Sequence, residues 1–394
     1  MTESTLGASN SSQTIENKGL TILGISGRRL AAVLIGWFFV IFDGYDLIVY
    51  GTVQSALAKE WNLSSATLGT IGSTAFFGMA IGAVFIGRLS DRVGRKAAVI
   101  GSVLILSVFT MLCAFAPNPW VFGAFRFIAG LGLGGLVPSV NAMTSDLVPR
   151  KTMSAWATVM MSGVPIGGSI AAVLALVVVP SSEEWGWRFM FLIALIPLVV
   201  GLPIAMKVIP SDKAIKADHE IREGHDEPAG FKDLLVDRYR WISIWFALAT
   251  FVTLLAWYEF GHALMFTLAL NLGAVIGSVV TAWAGDRFGP IRSGVIAAGI
   301  AGIALLLLLT YPPVTAVYVI LILAGVGTHG TQILIIAAVA NFYPSNLRGT
   351  ALGWALGVGR IGAVVAPQLA GLLLAWNLGV NSNFIMFGAA ALLS

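Results

Sequence analysis

Apolar runs long enough to cross a bilayer dominate this chain. They lie near residues 30–55, 65–87, 97–116, 119–146, 153–179 and 187–209, and again near 240–258, 260–284, 293–311, 313–340, 350–376 and 381–394. A helix crossing the hydrocarbon core needs about 20 largely apolar residues, so the pattern is six spans, a polar stretch, and six more. The expected fold class is an all-α membrane protein with twelve transmembrane helices in two six-helix bundles. The expected divisions are a cytoplasmic tail over 1–28, a bundle over 29–209, a linker over 210–239 and a second bundle over 240–394. Only 11% of residues are charged, against about 25% in soluble domains, and the mean hydropathy is +0.89. A soluble enzyme is excluded.

Residues 1–28 are polar, and no cleavage site follows a short apolar core, so they are expected as a tail and not a signal peptide. The single cysteine, Cys113, lies within an apolar run, which leaves no disulfide and no thiolate metal site. No nucleophile–base set or metal cluster appears, and no cofactor is expected. The formal charge of +4 is too small to mark a nucleic-acid binder. Its placement is more informative. With the amino terminus inside, the cytoplasmic segments hold 19 of the 23 basic residues and the outer segments two, Lys59 and Arg188. By the rule that basic loops stay inside, both termini are expected in the cytoplasm.

The two halves match at an offset of 195 residues. Asp91, Arg92 and Gly94 correspond to Asp286, Arg287 and Gly289, Gly130, Gly132 and Gly135 to Gly325, Gly327 and Gly330, and Pro149 to Pro344. Such coincidences indicate duplicated bundles. The register fails once: Arg29 corresponds to Arg240, an offset of 211, so the second half is 16 residues short over its first span. Tyr258 runs directly into Glu259 with no room to finish span seven and turn. A segment is expected to be missing there, and the last span is expected to be cut short at Ser394.

The loop between spans two and three reads G-R-L-S-D-R-V-G-R-K, from Gly87 to Lys96. Asp91 can cap a helix amino terminus across the bundle interface, the glycines allow a tight turn, and the basic residues suit anionic headgroups. A plain positive loop with a turn is the blander reading. In the copy at 282–292, Ala282 replaces the leading glycine and Pro290 replaces Arg95. The pair of loops resembles the signature of the major facilitator superfamily. Gly87, Asp91, Arg92, Gly94, Arg95, Asp286, Arg287 and Arg348 are expected to form a latch, with Asp146 and Arg150 joining it at the end of span four.

Span one carries W-F-F-V-I-F-D-G-Y-D, which places Asp43 and Asp46 within an apolar helix. With R-F-I-A-G-L-G-L-G-G in span four and G-V-G-R-I-G in span eleven, it resembles the aromatic acid:proton symporter family. That resemblance implies import of a benzoate-type carboxylate into bacteria across the inner membrane, with proton coupling at Asp43 and Asp46 and a role for Arg360. The G-V-P-I-G-G run of span five partly resembles the glycine-proline element of drug antiporters, but Val164 separates Gly163 from Pro165.

Of 42 charged residues, four lie well inside spans: Asp43, Asp46, Arg126 and Arg360. Ionisable groups at that depth cost a few kcal/mol or more and need a reason to be there. At about 1.5 Å per residue, Asp43 and Arg126 come out level, roughly 10 Å below the outer face of a ~30 Å core. The expectation is an Asp43–Arg126 pair with Asp46 beside it, either a proton site or a purely structural ion pair. Which aspartate titrates stays open. Arg360 lies near the midplane and corresponds to Pro165 in the repeat, so no symmetry-related residue balances it. It suits a carboxylate held bidentately, or packs the bundle with backbone partners.

His329 takes the place of Gly134 and either contacts the substrate, relays a proton, or bonds a nearby carbonyl. Asn271 and Gln332 are further cavity candidates. Among the aromatics of span one, with Trp37, Phe38 and Phe42, Tyr45 is a candidate to stack on an aryl ring, as is Trp354 in span eleven. The expectation is a monomeric, proton-coupled symporter for a small aromatic carboxylate. The alternatives are a drug or organic-anion exporter of the same superfamily, or a non-transporting sensor for such acids.

Overall fold

The computed structural model describes residues 21–149, 152–211, 241, 243–245, 248, 264–343, 345–376 and 380–393. All of the linker beyond residue 211 and the gap inferred at Tyr258 and Glu259 lie outside these residues, as does nearly all of span seven.

The described chain is helical. The first half has α1 (Gly27–Trp61), α2 (Ser65–Val93), α3 (Arg95–Cys113), α4 (Pro119–Leu147) and α5 (Met153–Val178). Span six is divided into α6 (Gly186–Leu192) and α7 (Leu202–Val208), joined through a π-helical turn at Pro197–Gly201. The second half has α8 (Leu264–Phe288), α9 (Pro290–Leu307), α10 (Val314–Phe342), α11 (Ser345–Ala375) and α12 (Val380–Leu393). Eight spans among the described residues are long and apolar enough to cross a membrane, and shorter apolar stretches occupy α8, α11 and α12. The chain is a multi-pass membrane protein. Large side chains such as Phe85, Val177, Val279 and Val295 stand exposed on the outside of the bundle, which suits a surface bathed in lipid rather than water.

Local chemistry sets the helix ends. Asn118 accepts hydrogen bonds from the backbone of Trp120 and Val121 and starts α4, with Pro119 at its first position. Asn62 closes α1 in the left-handed conformation. Gly94 joins α2 to α3 at φ +112°, and Gly289 joins α8 to α9 at φ +88°, so both copies of the loop turn on a conformation that residues with side chains rarely adopt.

The 195-residue register reappears in the packing. A methyl group on Gly78 would fall 2.1 Å from the carbonyl of Phe127, and one on Gly273 would fall 2.0 Å from that of Ile322. Gly132 faces Ser102 and Leu106, while Gly327 faces Ala297 and Ala301. Each contact maps onto the other by the same offset, so α2, α3 and α4 pack as α8, α9 and α10 do. Between the halves, α2 lies on α11 and α5 lies on α8. Arg88, Arg95, Lys96, Lys207, Arg287 and Arg292 all sit at one end of the helices, termed the basic end below.

Candidate functional site

Four successive residues of α1 point to four different neighbours. Gly44 meets α5 so closely that a methyl group there would lie 2.0 Å from the Val164 carbonyl. Gly167 returns the contact against the carbonyl of Ile41. This backbone-to-backbone seam fixes how α1 is rotated, and the neighbouring side chains follow from it.

Asp46 turns into the first bundle. Its Oδ2 accepts from Arg126 Nη1 of α4 at 2.5 Å and its Oδ1 accepts from Thr110 Oγ1 of α3 at 2.7 Å. Arg126 Nη2 also donates to the Asp46 backbone carbonyl at 3.2 Å. The guanidinium lies 6.0 Å from the Tyr50 ring centroid. Both ions are buried. Depth along the helices predicts Arg126 beside Asp43; the structure gives the arginine to Asp46 instead. Two residues three apart differ by about 60° around a helix and only ~4.5 Å along it, less than a depth ruler resolves, and the 60° decides.

Asp43 is fully buried, and neither of its carboxylate oxygens has a hydrogen-bond partner among the described residues. The charged groups close enough to act on it are Arg360 and Asp46. Arg360 comes from α11 of the other bundle and is itself buried. A buried carboxylate of the first bundle and a buried guanidinium of the second are therefore near enough for their charges to interact.

The other candidates divide. Asn271 of α8 is buried against Gly168 of α5, at the seam between the halves. Gln332 is buried on α10. His329 Nε2 lies 3.1 Å from the carbonyl of Met161 on α5, a carbonyl contact of the kind given as one of the alternatives for this histidine. Tyr45 does not face the interface: its hydroxyl donates to the Met190 carbonyl of α6 at 2.8 Å, and its ring packs in the apolar interior of the first bundle. Two residues past Asp43, it sits on another side of the helix. Trp354 is half-buried against the core.

At the basic end, Arg95 Nε donates to Asp146 at 3.0 Å and its Nη1 to Ser90. Asp146 was expected with Arg150, which lies outside the described residues, and its partner here is the loop arginine. The side chains of Asp91, Arg92, Asp286 and Arg348 also lie outside the described ones. Gly87 is buried where Gly353 of α11 approaches α2, and Arg287 stacks near Trp283 and Phe288. Sequence reasoning missed Thr110, whose hydroxyl completes the shell of Asp46. It also missed Lys96 and Arg28, which donate to the last carbonyls of α7.

The family model for the Major Facilitator Superfamily matches residues 36–270 and 258–394. The chain belongs to the major facilitator superfamily. Within that superfamily it is 96% identical to the gentisate transporter of Corynebacterium glutamicum, over all of this chain and 92% of that protein. It is 33% identical to the benzoate transport protein of Acinetobacter baylyi, over 92% of this chain and 87% of that one. Among solved superfamily structures, the proton:xylose symporter XylE matches with a TM-score of 0.76 at 16% identity, covering 93% of this chain and 94% of that one. The human organic anion transporter MFSD10 matches at 0.70, covering 93% and 99%. At such identities these two show the fold alone.

Proposed function

We propose that this protein is a proton-coupled symporter that imports gentisate or a closely similar monocyclic aromatic carboxylate by alternating access. It works as a monomer in the bacterial inner membrane, with the basic end in the cytoplasm. The observation that carries the reading is the buried Asp43 of one bundle within reach of the charge of the buried Arg360 of the other. The substrate class rests on the relatives named for gentisate and benzoate.

The coupling follows from competition between two anions for one cation. With the site empty of substrate, the Arg360 charge acts on Asp43. An incoming carboxylate engages the guanidinium bidentately, and Asp43 is then left buried beside a second anion. It escapes that arrangement by binding a proton. Loading therefore requires one proton for each monoanion, and the loaded site is closer to neutral, which eases the passage of the bundles past each other. Asp46 takes no part in the exchange, because Arg126 and Thr110 occupy both of its oxygens. Asn271 and Gln332, both buried polar groups, are assigned in this reading to hydrogen-bond ring substituents.

The test is uptake of labelled gentisate into proteoliposomes with an inward pH gradient, with unlabelled benzoates as competitors. Accumulation above the equilibrium level, inhibited by monocyclic aromatic carboxylates and abolished by a protonophore, is expected. Extrusion of a lipophilic cation without gentisate accumulation would establish the exporter alternative instead.

A further inference from the structure

Pro165 stands in the middle of α5. A proline has no N–H to give the carbonyl four residues earlier, so the Met161 carbonyl loses its intrahelical donor. In a membrane a freed carbonyl has to be satisfied by a neighbouring group. The group that reaches it is His329 Nε2 of α10, at 3.1 Å and from the other bundle. A carbonyl oxygen only accepts, so Nε2 is the donor.

The bond exists because the internal repeat is broken at both of its ends. His329 stands where the first half has Gly134, and Pro165 stands where the second half has Arg360. A glycine at 329 would supply no donor. A residue with an N–H at 165 would satisfy Met161 within its own helix. Elsewhere α4 and α10 keep equivalent glycines, as at Gly132 and Gly327.

The bond lies between the midplane and the basic end. A small cavity lined by Asn141, Thr144, Met153, Ala157, Ile336 and Leu352 separates it from that end. Asn141 and Thr144 belong to the first bundle, and Ile336 and Leu352 to the second. On the same side Gly353 of α11 sits against α2, where a methyl group would fall 2.7 Å from the Ala83 carbonyl. Parting the bundles at this end separates the elements that carry His329 and Met161.

We propose that the His329–Met161 hydrogen bond is a state-selective clasp, formed when the basic end is closed and broken each time it opens, and that Pro165 serves to leave its acceptor available. The clasp is a positioning device and does not hold substrate. The proposal rests on the alternating-access reading above, but its test needs no substrate.

The full chain, with the buried Cys113 replaced by Ala and Thr144→Cys introduced on the cavity wall, is placed in inside-out vesicles. Labelling by a membrane-impermeant maleimide is then followed. His329→Leu removes the donor, and Pro165→Ala returns an N–H to Met161. Either change is expected to raise the labelling rate about three- to tenfold, the bias one net hydrogen bond provides. The double variant should label no faster than the faster single, since both remove the same bond. His329→Gln, which keeps an N–H donor, should label slowly; it also controls for folding, with melting temperatures measured for all variants. Unchanged labelling in a folded His329→Leu protein overturns the clasp, as does a double variant whose effects multiply. A wrong substrate class would abolish gentisate uptake and leave this labelling contrast intact, so the two failures are distinguishable.

Discussion

Arg126 donates to Asp46 at 2.5 Å, while Asp43, one helical turn earlier on α1, has no hydrogen-bond partner among the described residues. Two residues of one type, three positions apart, thus occupy opposite environments. Asp46 has an arginine on one oxygen and a threonine hydroxyl on the other. Among the described residues, Asp43 has in place of hydrogen bonds the charges of Arg360 from the other bundle and of Asp46 on its own helix. Environment divides such pairs of carboxylates into separate roles: Asp46 is tied into the first bundle by both oxygens, and Asp43 is the carboxylate that the proposed mechanism assigns to proton exchange.

Removing one partner of a buried ion pair costs roughly 3–5 kcal/mol, whereas replacing both with apolar residues is often neutral. Asp46→Asn is therefore expected to lower the melting temperature of the purified protein markedly. Asp46→Leu combined with Arg126→Met should recover much of that loss. Thermal unfolding in detergent measures both, and an Asp46→Asn protein as stable as the parent would show that the pair has no structural role.

Asp43→Asn should behave differently. It removes a charge that no described hydrogen bond holds, so folding should survive, and accumulation against a gradient should disappear. Exchange of labelled for unlabelled substrate across the membrane should persist, because it needs no net proton movement. Uphill uptake at the parental level in Asp43→Asn would remove this residue from the coupling.

Arg360→Lys tests the carboxylate site. Lysine keeps the charge but lacks the planar fork that grips two oxygens. The half-saturation constant for gentisate should rise about tenfold, the factor that follows from losing ~1.4 kcal/mol of binding. An unchanged constant in uptake assays would place the substrate elsewhere.

The stoichiometry is also open to measurement. One proton with one monoanion moves no net charge, so uptake should respond to the pH gradient, worth about 1.4 kcal/mol per unit. It should ignore a membrane potential set by potassium and valinomycin. Acceleration by an interior-negative potential would require a second proton, and Asp46 would then need reconsideration.

The spans and the duplication were legible in the sequence because both depend on quantities that a one-dimensional pattern carries. Hydrocarbon thickness fixes the length of an apolar run, and the glycines at 78, 132, 273 and 327 mark where backbones touch. What depends on azimuth was not legible. The partner of Arg126 turned on about 60° of rotation around α1, which is set by the seam of Gly44 and Gly167 against α5. Tyr45 was misplaced for the same reason. Span six read as one continuous run, yet Pro197 cannot donate to the Ile193 carbonyl, and the helix passes through a π turn there. The partner of His329 belongs to the other half of the chain, 168 residues away, and no local pattern points to it.

The paired loop turns allow a test in which backbone strain is isolated from packing. Gly289 has φ +88° and ψ 148°, a region that residues with a side chain enter only at a cost of about 1–3 kcal/mol. Nothing lies within 4 Å of a methyl group built on it, so Gly289→Ala should destabilise through the backbone alone. Gly299, in the middle of α9, also has open space at that position but ordinary helical geometry. There alanine should be neutral or stabilise by about 0.5–1 kcal/mol, the usual difference between these residues inside a helix. Gly94, at φ +112°, is the corresponding turn of the first half, and Gly94→Ala should resemble Gly289→Ala in sign. Thermal unfolding of the three single variants decides it. If Gly289→Ala and Gly299→Ala melt together, the loop relaxes to accept a side chain, and the glycines at 94 and 289 have some reason other than their dihedral angles.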